Sequence, residues 1–364
     1  FKNNLYQYYK NMFFYIFILF YIYLVFNSLV NNINLDSLKI SIFYFRFGIF
    51  SLAVWYVLKQ EKVFVKYLFY CLLGCFIILI LDSYYQYFFG QNIFGLKIDV
   101  GTYRPSSLFG DELILGSYLS RFYGIFFGLF IYLYSKTEKK YLIYYFGLLF
   151  ILLEALIFIS GERVAFFYLF LSSVFIIFLV KEYKMLRISI MFIACGLILV
   201  ILSFNSNAKK RMIDQTIDQM NLKVNSNIKI FSEQHENHYI SALKMFEDNK
   251  ILGVGVKNFR NYCNSSKYKI SSNSCTTHPH NTYIQILSET GVIGFLFILS
   301  VLIIFVYKCF EHFYKTFKKK YIYSDSEICL LSSIVITLWP LVPTGNFFNN
   351  WLSIIYYFPI GILL

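Results

Sequence analysis

Long apolar runs recur along this chain, separated by shorter polar segments, and each is of the length that crosses a bilayer as a helix. Ten spans are read, at 12–30, 39–58, 64–82, 113–134, 141–160, 164–180, 188–204, 282–307, 326–342 and 347–364. A lipid-facing backbone must satisfy its own hydrogen bonds, so runs of this length read as helices rather than open strands. The pattern predicts an all-α, polytopic membrane protein. It divides into seven spans in 1–204, a loop subdomain over 205–281 and three spans in 282–364.

The polar segments sort by charge. Lys2 and Lys10 precede the first span, and Lys59, Lys62 and Lys66 follow the second. Lys136, Lys139 and Lys140 follow the fourth, and Lys181, Lys184 and Arg187 follow the sixth. Lys308, Lys315, Lys318, Lys319 and Lys320 follow the eighth. Every second loop is short and basic, which predicts that these loops and both ends of the chain face the cytoplasm. The segments near 31–38, 83–112, 161–163, 205–281 and 343–346 then face outward. The 205–281 loop holds eleven Lys and Arg, but a loop that long translocates largely regardless of charge.

Composition agrees with the pattern. The chain is 58 % hydrophobic and 15 % charged, with 43 Phe and 33 Tyr. A soluble domain carries about 25 % charge. The net charge of +13 is not read as a nucleic-acid signal, because much of it lies in the short loops. The first residue is Phe1, so the chain reads as a piece with spans expected upstream, and no cleavable signal peptide is visible.

Only the 205–281 loop has room for a subdomain. Ile213, Ile217 and Met220 have helical spacing, as do Tyr239, Ala242, Leu243 and Phe246. Both stretches read as amphipathic helices at the membrane surface. Gly253 and Gly255 mark a tight turn. They follow no strand of a βαβ unit, so a dinucleotide site is set aside.

Cys71, Cys75, Cys195 and Cys329 fall in spans as packing residues, and Cys309 falls on the cytoplasmic side. Cys263 and Cys275 share the outer loop, twelve positions apart, where an oxidising compartment would let them pair. Zinc is the rival use of a Cys/His cluster, but this spacing matches no usual site and a disulfide consumes both thiolates. No metal or other cofactor is expected.

Ionisable residues in or beside spans are costly in lipid and face a cavity or each other. They are Arg46, Asp82, Glu112, Arg121, Glu154 and Arg163. One reading is structural pairing, such as Arg121 with Glu154. The other is a polar cavity opening outward. Arg163 is the strongest ligand candidate there, in a very short SGER turn where a guanidinium can grip a phosphate by two parallel hydrogen bonds.

The densest candidate chemistry is TTHPHNTYIQILSETGVIG, Thr276 to Gly294. Thr282 and Gln285 have capping-box spacing, which predicts a helix starting near Asn281 or Thr282. Its free N–H groups would form a positive pole beside His280 that suits a phosphate. The plainer reading is a polar loop entering a membrane helix with His278 and His280 merely solvated.

Four segments together resemble the O-antigen ligase and O-antigen polymerase family, membrane glycosyltransferases acting on polyprenyl-diphosphate-linked glycans. RPSSLFGDELILGSYL, Arg104 to Leu119, resembles the family's Arg-containing segment before a span. SGERVAF, Ser160 to Phe166, resembles its Arg-bearing turn. ALKMFEDNKILGVGVKNF, Ala242 to Phe259, resembles its loop helix and Gly-x-Gly turn. HPHNTYIQILSETGVIG, His278 to Gly294, resembles its His-Asn segment running into a helix with Glu-x-Gly, and is the most specific.

The resemblance implies an inverting, metal-independent transfer at the periplasmic face of the inner membrane. The donor would be a glycan on undecaprenyl diphosphate, and the acceptor lipid A-core for a ligase or a glycan for a polymerase. His280 stands at the essential histidine and Arg163 at a diphosphate-binding arginine. Family members often carry an arginine about eighteen residues before the Gly-x-Gly turn, where this chain has His235, near His238. Arg211 could supply the missing charge. His278, Asn281, Arg104, Arg121 and Glu289 complete the expected substrate-binding set. Ligase is preferred to polymerase. A polyprenyl-glycan flippase or other transporter is the rival outside the class, but charges along a whole transmembrane path and an internal repeat are wanting.

Overall fold

The computed structural model describes residues 2–31, 34–98, 101–137, 140–220 and 229–364. Its regular structure there is helical. In chain order the helices are α1 Lys2–Tyr9, α2 Met12–Val30, α3 Leu35–Phe43, α4 Phe45–Gln60, α5 Val63–Phe89, α6 Leu115–Tyr134 and α7 Lys140–Ile159. There follow α8 Arg163–Leu179, α9 Lys184–Phe204, α10 Ser206–Lys209, α11 Gln215–Gln219, α12 Glu233–Asp248 and α13 Phe259–Tyr262. The last three are α14 Thr282–Phe317, α15 Asp325–Thr337 and α16 Asn350–Leu363. A single isolated bridge, Gln91 with Lys97, is the only strand-like pairing among the described residues.

Every expected span carries a helix. Among the described residues, six helical stretches are long and apolar enough to cross a membrane: Met12–Val30, Leu35–Gln60, Val63–Phe89, Tyr141–Ile159, Lys184–Phe204 and Thr282–Phe317. The helices α8 and α16 are apolar but shorter. The chain is thus a polytopic helical membrane protein. Lys308 and Lys315 lie within α14 rather than in a loop, because that helix continues to Phe317. Lys139 lies outside the described residues.

The chain forms two compact units. The first comprises Phe1–Gln60, Lys229–Tyr307 and Leu338–Leu364, and the second Glu61–Ile228 and Lys308–Thr337. The 205–281 segment is therefore shared between them.

In the first unit, α16 lies close against α4. A Cβ on Gly361 would come within 2.6 Å of the Ser51 carbonyl oxygen, and the Ser51 hydroxyl donates to the Tyr357 carbonyl at 2.6 Å. On the buried face of α12, Ala242 and Met245 belong to a small core with Val254, Phe259, Cys263 and Tyr268, and Tyr239 is buried on the same helix. The sequence expectation had added Leu243 and Phe246 to that face. Leu243 is exposed.

In the second unit α6 is buried along most of its length. Gly124 lets α15 approach, since a Cβ there would sit 2.4 Å from the Ser333 hydroxyl. Small residues at such a seam let helices pack in a membrane by close contact. The expected Arg121–Glu154 pair is corrected. Glu154 instead accepts hydrogen bonds from Arg187 and, at 2.9 Å, from the Tyr123 hydroxyl. Arg187 also donates to the Ser173 hydroxyl, and it is fully buried in α9. It had been read with the basic loops. A buried guanidinium needs such partners, because an isolated charge there would be costly. Arg121 is also buried, donating to the Ser117 carbonyl at 3.2 Å and lying over the Tyr168 ring.

Candidate functional site

The sequence segment 276–294 is built on a break in α14. Gly291 adopts φ 65°, which interrupts the helix and leaves backbone groups on both sides of it to find other partners. The Gly253/Gly255 turn supplies them. The Val254 amide donates to the Ser288 carbonyl at 2.9 Å, and the Gly255 amide to the Glu289 carbonyl at 2.9 Å. The Val292 amide donates to the Lys250 carbonyl at 2.9 Å. Gly253 has φ 68°, and a Cβ there would meet Glu289 backbone at 2.5 Å. The two glycine motifs are thus halves of one junction. From α2, Tyr23 donates to the Thr290 carbonyl and Asn27 to the Leu252 carbonyl.

Glu289, one of the expected substrate-binding residues, lies beneath this junction. It is fully buried, and its carboxylate accepts from the Phe259 amide at 3.1 Å and the Gln285 side chain at 3.0 Å. Its geometry fixes α13 to α14.

The helix start falls at Thr282 as expected, but the cap is different. Asn281 Oδ1 accepts from the Tyr283 amide at 3.0 Å and the Ile284 amide at 3.1 Å. Two donors of the expected anion-binding pole are therefore used by the protein itself. Gln285 does not close a capping box. Its side chain donates to Asn346 at 3.0 Å and accepts from the Phe347 amide at 2.9 Å. Asn281 Nδ2 donates to the Pro340 carbonyl at 2.8 Å, and Thr282 bonds Thr344 at 2.9 Å. The loop before α16 therefore clasps the first turn of α14. Sequence reasoning assigned nothing to Thr344. The Pro/Thr/Gly/Asn break between two apolar runs was its one visible signal.

Four histidines converge beside this turn. His280 has φ 57°, held by the Thr344 amide, which donates to its carbonyl at 2.8 Å. Its ring centroid lies 4.2 Å from that of His278, 5.3 Å from His238 and 5.5 Å from His235. His235 and His238 come from α12, where Ser232 caps the helix and also bonds the His235 ring at 2.9 Å. His238 is 1 % exposed, and its ring nitrogens reach no hydrogen-bond partner at bonding distance. His278 engages both ring nitrogens, with Thr277 at 2.9 Å and the Thr344 carbonyl at 3.2 Å. Burial, with some help from the neighbouring imidazoles, lowers His280 to about 3. Burial likewise lowers His278 to about 4, with the Thr344 backbone opposing and Arg260 assisting. Burial also lowers His238, against the backbone of Asn273. His278 and His280 are neutral at physiological pH.

A disulfide joins Cys263 to Cys275 across a Cα separation of 5.0 Å. It ties α13 to the strand of chain that leads into His278. Arg260 adds a hydrogen bond to the Thr277 carbonyl at 3.1 Å.

The second unit carries a separate arginine-rich turn. Arg104 Nε donates to the Ser160 carbonyl at 2.7 Å, and Arg211 Nε to the Gly161 carbonyl at 3.4 Å. Arg163 donates to the Gln219 side chain at 2.7 Å and to Thr216 at 3.3 Å, both neutral. Glu162 accepts from the Gly116 and Ser117 amides at 2.7 and 3.1 Å, capping α6 from outside, with Arg104 3.9 Å away. Burial raises the Glu162 carboxyl, against the pull of Ser117, Arg104 and the Gly116 amide. Three guanidiniums thus share one turn with one carboxylate. Arg104, Arg211, Gly161, Tyr87 and Asn205 line a small cleft there. Asp82 and Gln86 are structural. They accept from Ile93, Ser107 and Ser106 at 2.5–2.9 Å and so stitch the segment that delivers Arg104.

Residues 146–299 match the family model described as O-antigen ligase. Over that segment the chain is similar to the O-antigen ligase and polymerase family. The matched residues include Arg163, Arg211, His235, His278, His280, Asn281 and Glu289, whereas Arg104 and Arg121 precede them. The family comprises O-antigen ligase and polymerase types, so the match is to a membrane glycosyltransferase class. No curated protein gives a significant match.

Proposed function

We propose that the protein is an O-antigen ligase-like glycosyltransferase. It moves a glycan from undecaprenyl diphosphate to a lipid A-core acceptor at the periplasmic face of the inner membrane, with inversion and without a metal. The observation that carries this is His280, an imidazole whose ring bonds to no other described residue and which stands on a braced turn inside the matched segment.

The chemistry follows from the residues. Transfer from a lipid diphosphate needs an acceptor hydroxyl held in line and relieved of its proton, and a leaving diphosphate whose charge is met. Neutral His280 can accept a hydrogen bond from the acceptor hydroxyl and take its proton as the new glycosidic bond forms. Low basicity in the empty site favours positioning, and an approaching anion raises it. Arg163 is the proposed diphosphate ligand, with Arg211 and Arg104 adding positive charge at the same turn. His278 orients the loop through Thr344. Arg121 is buried, with its guanidinium toward the Ser117 carbonyl and the Tyr168 ring.

A deletion strain tests the reading by its lipopolysaccharide gel pattern. Loss of all long chains with undecaprenyl-linked polymer accumulating supports ligase. Core plus a single repeat assigns the protein as a polymerase instead, and an unchanged pattern removes both. Orientation is tested by cysteine labelling from outside intact cells. Lys250→Cys should label and Lys318→Cys should not, and the reverse would remove the outward-facing site. Asn221, in the same loop, lies outside the described residues.

A further inference from the structure

The far end of α14 and the turn after it carry Lys308, Lys315, Lys318, Lys319 and Lys320 against a single acid, Glu311. The acids nearby are engaged elsewhere. Glu311 pairs with Lys315 at 2.6 Å. Asp325 accepts from the Lys181 and Glu182 amides at 3.1 and 2.6 Å, and Glu327 from the Ser324 amide at 2.7 Å. Lys318, Lys319 and Lys320 are exposed and join no ion pair among the described residues.

Two features set this end apart from scattered surface charge. The helix closes in a Schellman turn, in which the Lys320 amide donates to the Lys315 carbonyl at 3.0 Å and the Lys319 amide to the Thr316 carbonyl at 2.9 Å. Lys319 is the left-handed residue of that turn, with φ 56°, where glycine is least strained. The negative pole of a helix C-terminus accounts for a cation in the last turn, such as Lys315, but not for a lysine in the left-handed position beyond it. The second feature is apolar. Phe310, Tyr314 and Phe317 are exposed at helical spacing on one face, and Lys318 lies over the Tyr314 ring at 4.4 Å. At 36 residues α14 exceeds the about 20 that cross hydrocarbon. Its last turns therefore reach headgroup depth, where aromatic rings and lysine stems settle.

We propose that this end of α14 binds an anionic phospholipid of the surrounding bilayer. Lys318, Lys319 and Lys320 meet the headgroup phosphate, and Phe310, Tyr314 and Phe317 lie along the acyl chains. Charge complementarity selects this occupant, because a cluster of lysines directly beyond a span attracts anionic lipid. The site stands apart from the proposed transfer chemistry, and either can fail alone.

The test uses the full chain in nanodiscs of phosphatidylcholine and phosphatidylglycerol, with native mass spectrometry reading the ratio of the two lipids retained. Nanodiscs expose both leaflets, so the readout does not depend on the direction of insertion. One lysine near an anionic surface is worth about fivefold in affinity. Lys318→Gln with Lys320→Gln should lower the preference for phosphatidylglycerol roughly 25-fold at low salt, and less at high salt. Lys62→Gln with Lys66→Gln removes the same charge from another basic loop and should lower it far less. Lys319→Gly should lower the preference about fivefold while leaving the melting temperature equal or higher, which loss of folding cannot do. An unchanged ratio in both the Lys318/Lys320 and Lys319 variants would overturn the proposal and leave these lysines to membrane topology or an acidic protein partner. Equal losses in the Lys318/Lys320 and Lys62/Lys66 variants would overturn it too, by showing attraction to net charge rather than to a site.

Discussion

His278 and His280 stand two residues apart with ring centroids 4.2 Å apart, yet only His278 has both ring nitrogens engaged. Thr344 accounts for the division. Its carbonyl meets the His278 ring, and its amide takes the His280 carbonyl at 2.8 Å, so the His280 ring is aimed without being tied. His280→Ala should lower glycan transfer by about 10²–10⁴-fold, the usual worth of a positioned acid–base group. Expression and thermal stability should change little. His278→Ala should instead lower stability and reduce transfer less. Reconstituted membranes supplied with donor and acceptor give both rates, and near-normal transfer by His280→Ala would remove the centre of the proposal.

The same cluster sets a pH dependence of stability. His278 sits at about 4 and His280 at about 3 in the folded loop, below the ordinary 6.5. The unfolded chain therefore binds more protons between those values, and stability falls as pH drops. The contribution is intact above about 6.5 and is lost progressively toward 4. Melting temperatures between pH 7.5 and 4.5 should show the decline, with a shallower slope in His278→Gln. A slope unchanged by that substitution would place the acid sensitivity elsewhere.

Much of this arrangement was legible from spacing alone. Apolar run length placed a helix at every expected span, and Asn281–Thr282 marked the start of α14. Partners remote in sequence were not legible. Nothing local says that Glu154 meets Arg187, 33 positions on, rather than Arg121. Nor does it say that α12 brings two more histidines to His280. Gln285 has the spacing of a capping box, yet the Asn346 and Phe347 clasp competes for its side chain and wins. Charge counting also reads every Lys and Arg near a span end as a loop residue. Arg187 escapes it because a buried carboxylate compensates it.

Arg163 gives a test of the arginine-rich turn. Its hydrogen bonds go to Gln219 and Thr216, weak competitors for a phosphate. Arg163→Lys keeps the charge but loses the two-pronged geometry, so it should raise the donor KM, and Arg163→Ala should do so further. Correct membrane insertion with a normal rate in Arg163→Ala would assign the residue to the turn's structure alone.

The Cys263–Cys275 disulfide closes a short loop next to His278. Removing it as Cys263→Ser with Cys275→Ser should cost on the order of 3 kcal/mol by the chain-entropy model. The first effect should be on His-loop order, seen as faster protease cleavage between residues 263 and 278. A non-reducing peptide map should recover the two cysteines in one linked pair. Two free thiols in protein isolated from intact membranes would contradict it.

Gly291 is the position where a single methyl group should do most damage. A Cβ there would lie 2.1 Å from the Ile251 carbonyl oxygen, closer than any real contact, and its φ of 65° is strained for an L side chain. The backbone strain alone is worth about 1–3 kcal/mol. The clash adds to it, because the neighbour is backbone held by the Val254, Gly255 and Val292 hydrogen bonds and cannot turn aside. Gly291→Ala should therefore separate the 250–255 turn from α14. The effect should reach Glu289, whose carboxylate would lose the Phe259 amide, and through α13 the segment leading to His278. Hydrogen exchange should show lost protection at Val254, Gly255 and Val292, while the amides of α6 and α15 in the other unit remain protected. Unchanged protection at those three amides would mean that the break in α14 is not what holds the turn.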